Sequence, residues 1–191
     1  PISQIDRLAR EGMRFDNAYA ACPVCSPTRA SIQSGQYPAR VGVTDFITGH
    51  WRPYEEVIVP KNRTQYLPLE NVTIAEKLKE KGYATAYFGK WHLGDNYPSR
   101  PSDQGFDESV IHLAGGMGQV GDFPNYFDGD SSYFDPVLWH NNKMKSYNGY
   151  CSDIFTDEAI KFIENNGMAF GIDIPGNYGK MILSLFRIAA V

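Results

Sequence analysis

Residues 73–94 read TIAEKLKEKGYATAYFGKWHLG. Thr73 and Glu76 have the spacing of a capping box, Ile74, Ala75 and Leu78 form an apolar stripe, and Gly82 stands where a helix stops. Tyr83 to Phe88 is then a short apolar run of strand length. It gives way at Gly89-Lys90-Trp91-His92-Leu93-Gly94, so a cation and an imidazole fall at the carboxyl end of a strand. Lys90 and His92 are two apart and project the same way, while Trp91 turns into the core as an anchor.

Outward from this stretch the same alternation recurs. Residues 2–11 have helical periodicity with Ile5, Leu8 and Ala9 on one face, Gly12 closes that helix, and Met13 to Tyr19 alternates as a short strand with Phe15 inward. After the loop Cys22-Pro23-Val24-Cys25, Ser26 as N-cap, Pro27 at the first helical position and Gly35 past the end bracket a two-turn helix. Residues 36–70 carry Pro38, Pro53, Pro60 and Pro68 and read as excursion loops. Val137 to Lys145 reads as a hairpin turning at Asn141-Asn142. Thr156 to Asn166 reads as a helix with Ala159, Ile160 and Ile163 inward and Gly167 as its stop. The pattern predicts an α/β fold, a mostly parallel sheet flanked by helices, with ligands gathering beyond the strands' carboxyl ends.

The bulk properties exclude several classes. With 18 Lys+Arg against 22 Asp+Glu in 191 residues, the chain has no basic field for a phosphate backbone, so no nucleic acid or acidic membrane surface is expected as a partner. No apolar run approaches the ~20 residues that cross a bilayer. Met181 to Val191 is the longest candidate, and Ser184 and Arg187 interrupt it. Aromatic residues make up 14% and crowd into Gly/Pro/Asn/Asp-rich stretches such as 122–136, which implies long structured loops. Three cysteines, Cys22, Cys25 and Cys151, are too few for a disulfide framework. The chain opens at Pro1 with neither Met nor a leader-like segment, and more chain is expected upstream.

Cys25 and Arg29 carry the chemistry. A helix starting at Pro27 would aim its N–H groups and positive dipole end at the Cys25 side chain, with Arg29 in the first turn offering a fork to an anion held there. Cys22-x-x-Cys25 also fits a redox pair or half a zinc site. The second pair is missing, however, and His50, His92, His112 and His140 show no ligand spacing. Gly115-Gly116-Met117-Gly118 lacks the strand and the Lys-Ser/Thr of a phosphate loop and reads as a flexible loop. Tyr126, Phe127, Tyr133 and Phe134 would either rim a substrate or pack among themselves.

The run Cys25-Ser26-Pro27-Thr28-Arg29 with Gly35 resembles the sulfatase signature Cys-x-Pro-Ser/Thr/Ala-Arg, and Gly82 to Gly94 resembles the second signature of the same family. Similarity extends to Asp6-Arg7-Leu8-Ala9, Gly105-Phe106-Asp107 and Tyr150-Cys151-Ser152-Asp153. Residues 1–166 thus resemble the N-terminal part of a sulfatase catalytic domain of the alkaline phosphatase-like fold, incomplete here, and 167–191 form a divergent tail that suggests a truncated or frame-shifted reading. The resemblance implies a sulfuric ester hydrolase in which Cys25 becomes formylglycine through a formylglycine-generating enzyme. One hydroxyl of the hydrated aldehyde attacks sulfur, giving a covalent sulfo-enzyme, and the other expels sulfate.

It further implies that Arg29 stabilises the modified residue, that Lys90 contacts sulfate oxygens and that His92 holds the diol and moves a proton. A divalent cation, Ca²⁺, would be bound by residue 25 in its formylglycine form. Its other ligands are expected before Pro1 and downstream of 166. The substrate would be a small-molecule or saccharide sulfate ester, and the compartment periplasmic, secreted or lysosomal. Gln33 and Ser34 depart from the signature in a way expected to alter helix packing. A phosphate or phosphonate monoester hydrolase of the same superfamily, or a fragment that binds anions without catalysis, stand as the alternatives.

Overall fold

The computed structural model describes residues 3–48, 62–126, 132–166 and 181–184. Its strands are β1 (Ala84–Lys90), β2 (Glu108–His112), β3 (Val137–His140), β4 (Lys143–Ser146) and β5 (Met181–Ser184). They form one sheet in the order β4-β3-β2-β1-β5. β1 runs parallel to both β2 and β5, and its register sets Lys90 opposite His112. The β3–β4 hairpin adds the antiparallel limb. Its turn is the one expected at Asn141-Asn142, with φ of 45° and 67°, the two left-handed residues of a type I′ turn.

The helices are α1 (Ser3–Glu11), α2 (Cys25–Ser34), α3 (Pro38–Val41), α4 (Ile74–Lys79) and α5 (Cys151–Asn165). Strand alternation splits the apolar residues between two cores. One core joins Ala30 of α2 and Ala75 of α4 to Tyr87, Ile111, Trp91 and Phe106. The rings of Tyr87, Trp91 and Phe106 meet edge to face, with centroids 5.1, 5.3 and 6.2 Å apart. Each such pair contributes about 0.5–1.5 kcal/mol beyond area burial. Trp91 is the expected anchor, fully buried with its indole N–H donating to Ser99 O at 2.8 Å. The other core packs Ala86, Phe88, Val110 and Leu138 against Cys151, Ile154, Ala159 and Phe162 of α5. A sheet flanked by helices is therefore present as predicted.

Several local expectations hold in detail. Thr73 Oγ1 accepts from the amide of Glu76 at 3.1 Å and Glu76 Oε2 accepts from the amide of Thr73 at 2.7 Å, completing the capping box. Gly82, at φ 78°, ends that helix.

Others shift. Residues 13–19 form no strand, and Phe15 is 71% exposed rather than inward. Alternation supplies a face but not a partner, and both edges of β1 are already paired, to β2 and to β5. α5 begins five residues earlier than expected, and it packs Cys151, Ile154, Ala159 and Phe162 on the sheet, with Ile160 46% exposed. α2 begins at Cys25 with Val24 as N-cap, so Pro27 lies third in the helix. There its missing N–H is still among the four amides without an intrahelical partner. Gly35, at φ 68°, closes α2 as expected.

Candidate active site

The signature segment is tied down from two sides. The hydroxyl of Thr28 donates to Cys22 O at 2.8 Å and accepts from the amide of Cys22 at 3.1 Å, fastening the preceding loop to the helix. Ser26 is fully buried and its hydroxyl accepts from the amide of Ile47 at 3.0 Å. Cys25, between them, is half-buried and is the first residue of α2, where unpaired amides and the helix dipole favour negative charge. Cys22 and Cys25 are not joined by a disulfide. The departure at Gln33 is absorbed inside the packing. Gln33 is buried, and its carbonyl oxygen has no partner among the described residues.

Arg29 is buried one turn into α2 and reaches across to β1. One terminal nitrogen donates to Tyr87 Oη at 3.0 Å and to Lys90 O at 2.5 Å, and the Tyr87 hydroxyl donates to the same carbonyl at 2.6 Å. Burial holds the Tyr87 pKa up, keeping the phenol neutral and its proton available for that bond. Lys90 is the last residue of β1, and its charge interacts with the Cys25 side chain at the start of α2. Burial lowers its pKa; the Cys25 side chain opposes that shift and the Arg29 charge adds to it.

His92 follows at φ 55°, a left-handed conformation that turns the buried ring toward Ile47, whose carbonyl oxygen it meets through Nε2. Burial first, then the charge of Lys90, lowers its pKa to about 4, so the ring is neutral at pH 7. A carbonyl only accepts, so the single proton sits on Nε2 and the lone pair on Nδ1. Gly115 lies against this ring: a Cβ there would stand 3.1 Å from His92 Cε1. Gly115, the first residue of the run read as a flexible loop, thus lies against the site.

Sequence reasoning missed His112. It ends β2 in register with Lys90, is buried, and has its pKa lowered to about 3 by burial and by the charges of Lys90 and Arg29. Only the parallel register of β1 and β2 reveals this neighbour; no spacing along the chain encodes it. Arg29 Nε, His92 Nδ1 and His112 Nδ1 are buried without partners among the described residues. Buried polar atoms are rarely left so, and three in one cluster mark a place built for a ligand.

The aromatic stretch is settled in part. Phe134 packs on Tyr150, which lies outside that stretch, with centroids 5.2 Å apart, and Phe127 lies outside the described residues. His50 also lies outside them. His140 is far from Cys25 along the sheet.

The site thus gathers two cations and two neutral imidazoles around a helix start, a lining suited to a tetrahedral oxyanion. A hard cation such as Ca²⁺ takes six to eight oxygen ligands. Among the described residues, no group of three or more His, Cys, Asp or Glu side chains able to hold a metal includes Cys25. The lining seen here does not fit Ca²⁺ by itself.

The sulfatase family model matches residues 1–170. The chain belongs to the sulfatase family. An arylsulfatase from Hemicentrotus pulcherrimus is 36% identical over 175 residues, covering 85% of this chain and 29% of that protein. An N-acetylglucosamine-6-O-sulfatase from Bacteroides thetaiotaomicron is 35% identical over 161 residues, covering 84% of this chain and 23% of that protein. This sulfatase chain therefore spans less than a third of the length of either relative. Among solved structures, Ps i-CgsB in complex with k-i-k-neocarrahexaose superposes with a TM-score of 0.67 at 26% identity, over 95% of this chain and 38% of that one. A second structure, in complex with its substrate D-glucosamine-2-N,6-O-disulfate, gives 0.62 at 29% identity, over 97% and 30%. Both structures share the arrangement of sheet and helices of this chain over about a third of their own length.

Proposed function

We propose that this chain carries the anion-binding face of a sulfuric ester hydrolase, with Cys25 as the residue converted to formylglycine. The observation that carries the reading is the bond from Arg29 of α2 to the Lys90 carbonyl, which sets the end of β1 against the helix that Cys25 begins and leaves Lys90 and Cys25 in electrostatic interaction. A formylglycine-generating enzyme would be the partner that installs the group. Once hydrated, formylglycine supplies a nucleophilic hydroxyl and a second hydroxyl that releases sulfate.

The chain's own residues do the rest. Lys90 faces the sulfate oxygens and offsets the charge that grows on them as the ester bond breaks. Arg29 holds the Lys90 carbonyl and adds positive charge beneath the anion. His92, with its proton fixed on Nε2 by Ile47, presents the lone pair of Nδ1 as acceptor for a hydroxyl proton. Gly115 gives the ring room. No role here is assigned to Ca²⁺, since the described residues around Cys25 offer no oxygen cage for it.

The saccharides held by the two structural neighbours favour a sulfated saccharide as substrate class. The reading applies to residues 1–166 and leaves 167–191 outside it. A periplasmic, secreted or lysosomal setting is the one the family resemblance implies; no helix among the described residues is long and apolar enough to cross a membrane.

The experiment is co-expression with a formylglycine-generating enzyme, followed by mass spectrometry of the peptide bearing Cys25. Replacement of sulfur by oxygen with loss of two hydrogens is expected, and an unmodified thiol overturns the reading. A full-length version should cleave an aryl sulfate and lose that activity on Cys25→Ala; preference for a phosphate monoester would transfer the site to the phosphatase branch.

A further inference from the structure

On the α5 side of the sheet, Glu108 of β2, His140 of β3 and Glu158 of α5 converge. One carboxylate oxygen from each glutamate and one ring nitrogen of His140 all lie within 4.8 Å of one another. Glu108 is four residues before His112 on the same strand, about 13 Å from the level of Lys90 at ordinary strand rise, so this cluster is separate from the Cys25 site.

Three features set the cluster apart from chance neighbours. Glu158 sits on the buried face of α5 at 9% exposure, a position where an unpaired carboxylate is costly. Among the described residues it pairs with Lys161 at 2.8 Å, an exposed side chain that engages Oε1. The His140 ring is oriented from behind, since Nδ1 is 2.7 Å from Tyr147 Oη, while Nε2 faces Glu108 Oε1 at 3.7 Å, too far for a hydrogen bond. A ligating histidine is typically braced in this way, one nitrogen on an outer partner and the other turned to the metal.

We propose that Glu108, His140 and Glu158 bind a divalent transition-metal ion of the Zn²⁺ type that clips α5 to β2 and β3. One imidazole nitrogen, two carboxylate oxygens and a water complete a tetrahedral set, and the two carboxylates balance the charge of the ion. Ligands on such an ion stand about 3.4 Å apart, so the widest separation closes by a little over 1 Å, within the swing of the half-exposed Glu108 side chain. The site is structural and does not depend on the reaction proposed for Cys25.

The test uses the full 191-residue chain, stripped with a chelator and titrated with Co²⁺ at pH 7, with Zn²⁺ then added as competitor. One equivalent is expected to bind with visible bands of nitrogen and oxygen coordination and no thiolate charge-transfer band, and Zn²⁺ should displace it. His140→Ala and Glu158→Gln should weaken binding by tenfold or more. Tyr147→Phe, which keeps the ring and its packing, should weaken it about tenfold by releasing the imidazole. Absence of one-equivalent binding to the unmutated chain, a thiolate band placing the ion on Cys22 and Cys25, or unchanged affinity in Tyr147→Phe and His140→Ala overturns the proposal.

Discussion

Arg29 donates to the main-chain carbonyl of Lys90, so the residue whose ammonium faces Cys25 is held from behind by the helix that Cys25 begins. Strand end and helix start are thereby fixed relative to each other by a charge-assisted bond inside the protein. Bonds of this kind contribute about 1.5–3 kcal/mol.

Arg29→Lys keeps the charge and loses the fork that serves both Tyr87 and Lys90. It should destabilise the chain by about 1–3 kcal/mol and weaken binding of inorganic sulfate by tenfold or more. Urea denaturation and a sulfate titration measure the two effects, and a variant equal to the parent in both would show that the guanidinium geometry is idle.

Thr28→Val removes one hydroxyl that serves two bonds to Cys22, at nearly constant volume. A loss of about 1–2 kcal/mol is expected in urea, with Thr28→Ser retaining most of the stability. Equal stability of the Val and Ser variants would argue that the loop is held by other contacts.

The neutral state of the buried imidazoles makes stability depend on pH. His92 titrates at about 4 and His112 at about 3 in the folded chain, against about 6.5 when unfolded. Between these values the unfolded chain binds more protons, so stability is full above about pH 6.5 and falls as pH drops toward 4. The urea midpoint should decline from pH 7.5 to pH 4.5, by an amount on the order of a few kcal/mol. His92→Gln should flatten that decline, and an unchanged slope would remove His92 as its source.

Gly115→Ala places a methyl 3.1 Å from His92 Cε1. A cost of about 1 kcal/mol and a weaker sulfate affinity are expected, because the ring must shift off Ile47. Calorimetry of sulfate binding distinguishes this from a change in stability alone.

Much of this architecture is visible in local chemistry. The capping box at Thr73 and Glu76, the Asn141-Asn142 turn and the Gly35 stop are short-range devices, and each forms as its residues predict. Cys25, Arg29, Lys90 and His92 were legible as candidates because two compact signatures carry them; their assembly in one place is what the structure adds. Features that depend on distant pairing were not legible. Phe15 lacks a free sheet edge, the inward face of α5 is set by its packing on Phe88, Val110 and Leu138, and His112 joins the site only through the register of β1 with β2.

The grip of Arg29 on β1 also works as a detent against sliding. If α2 slipped by a single turn, about 5.4 Å, the guanidinium would release its carbonyl in the same movement that drew Cys25 away from Lys90. A partly docked molecule would therefore possess no weakened version of the pocket; it would have none.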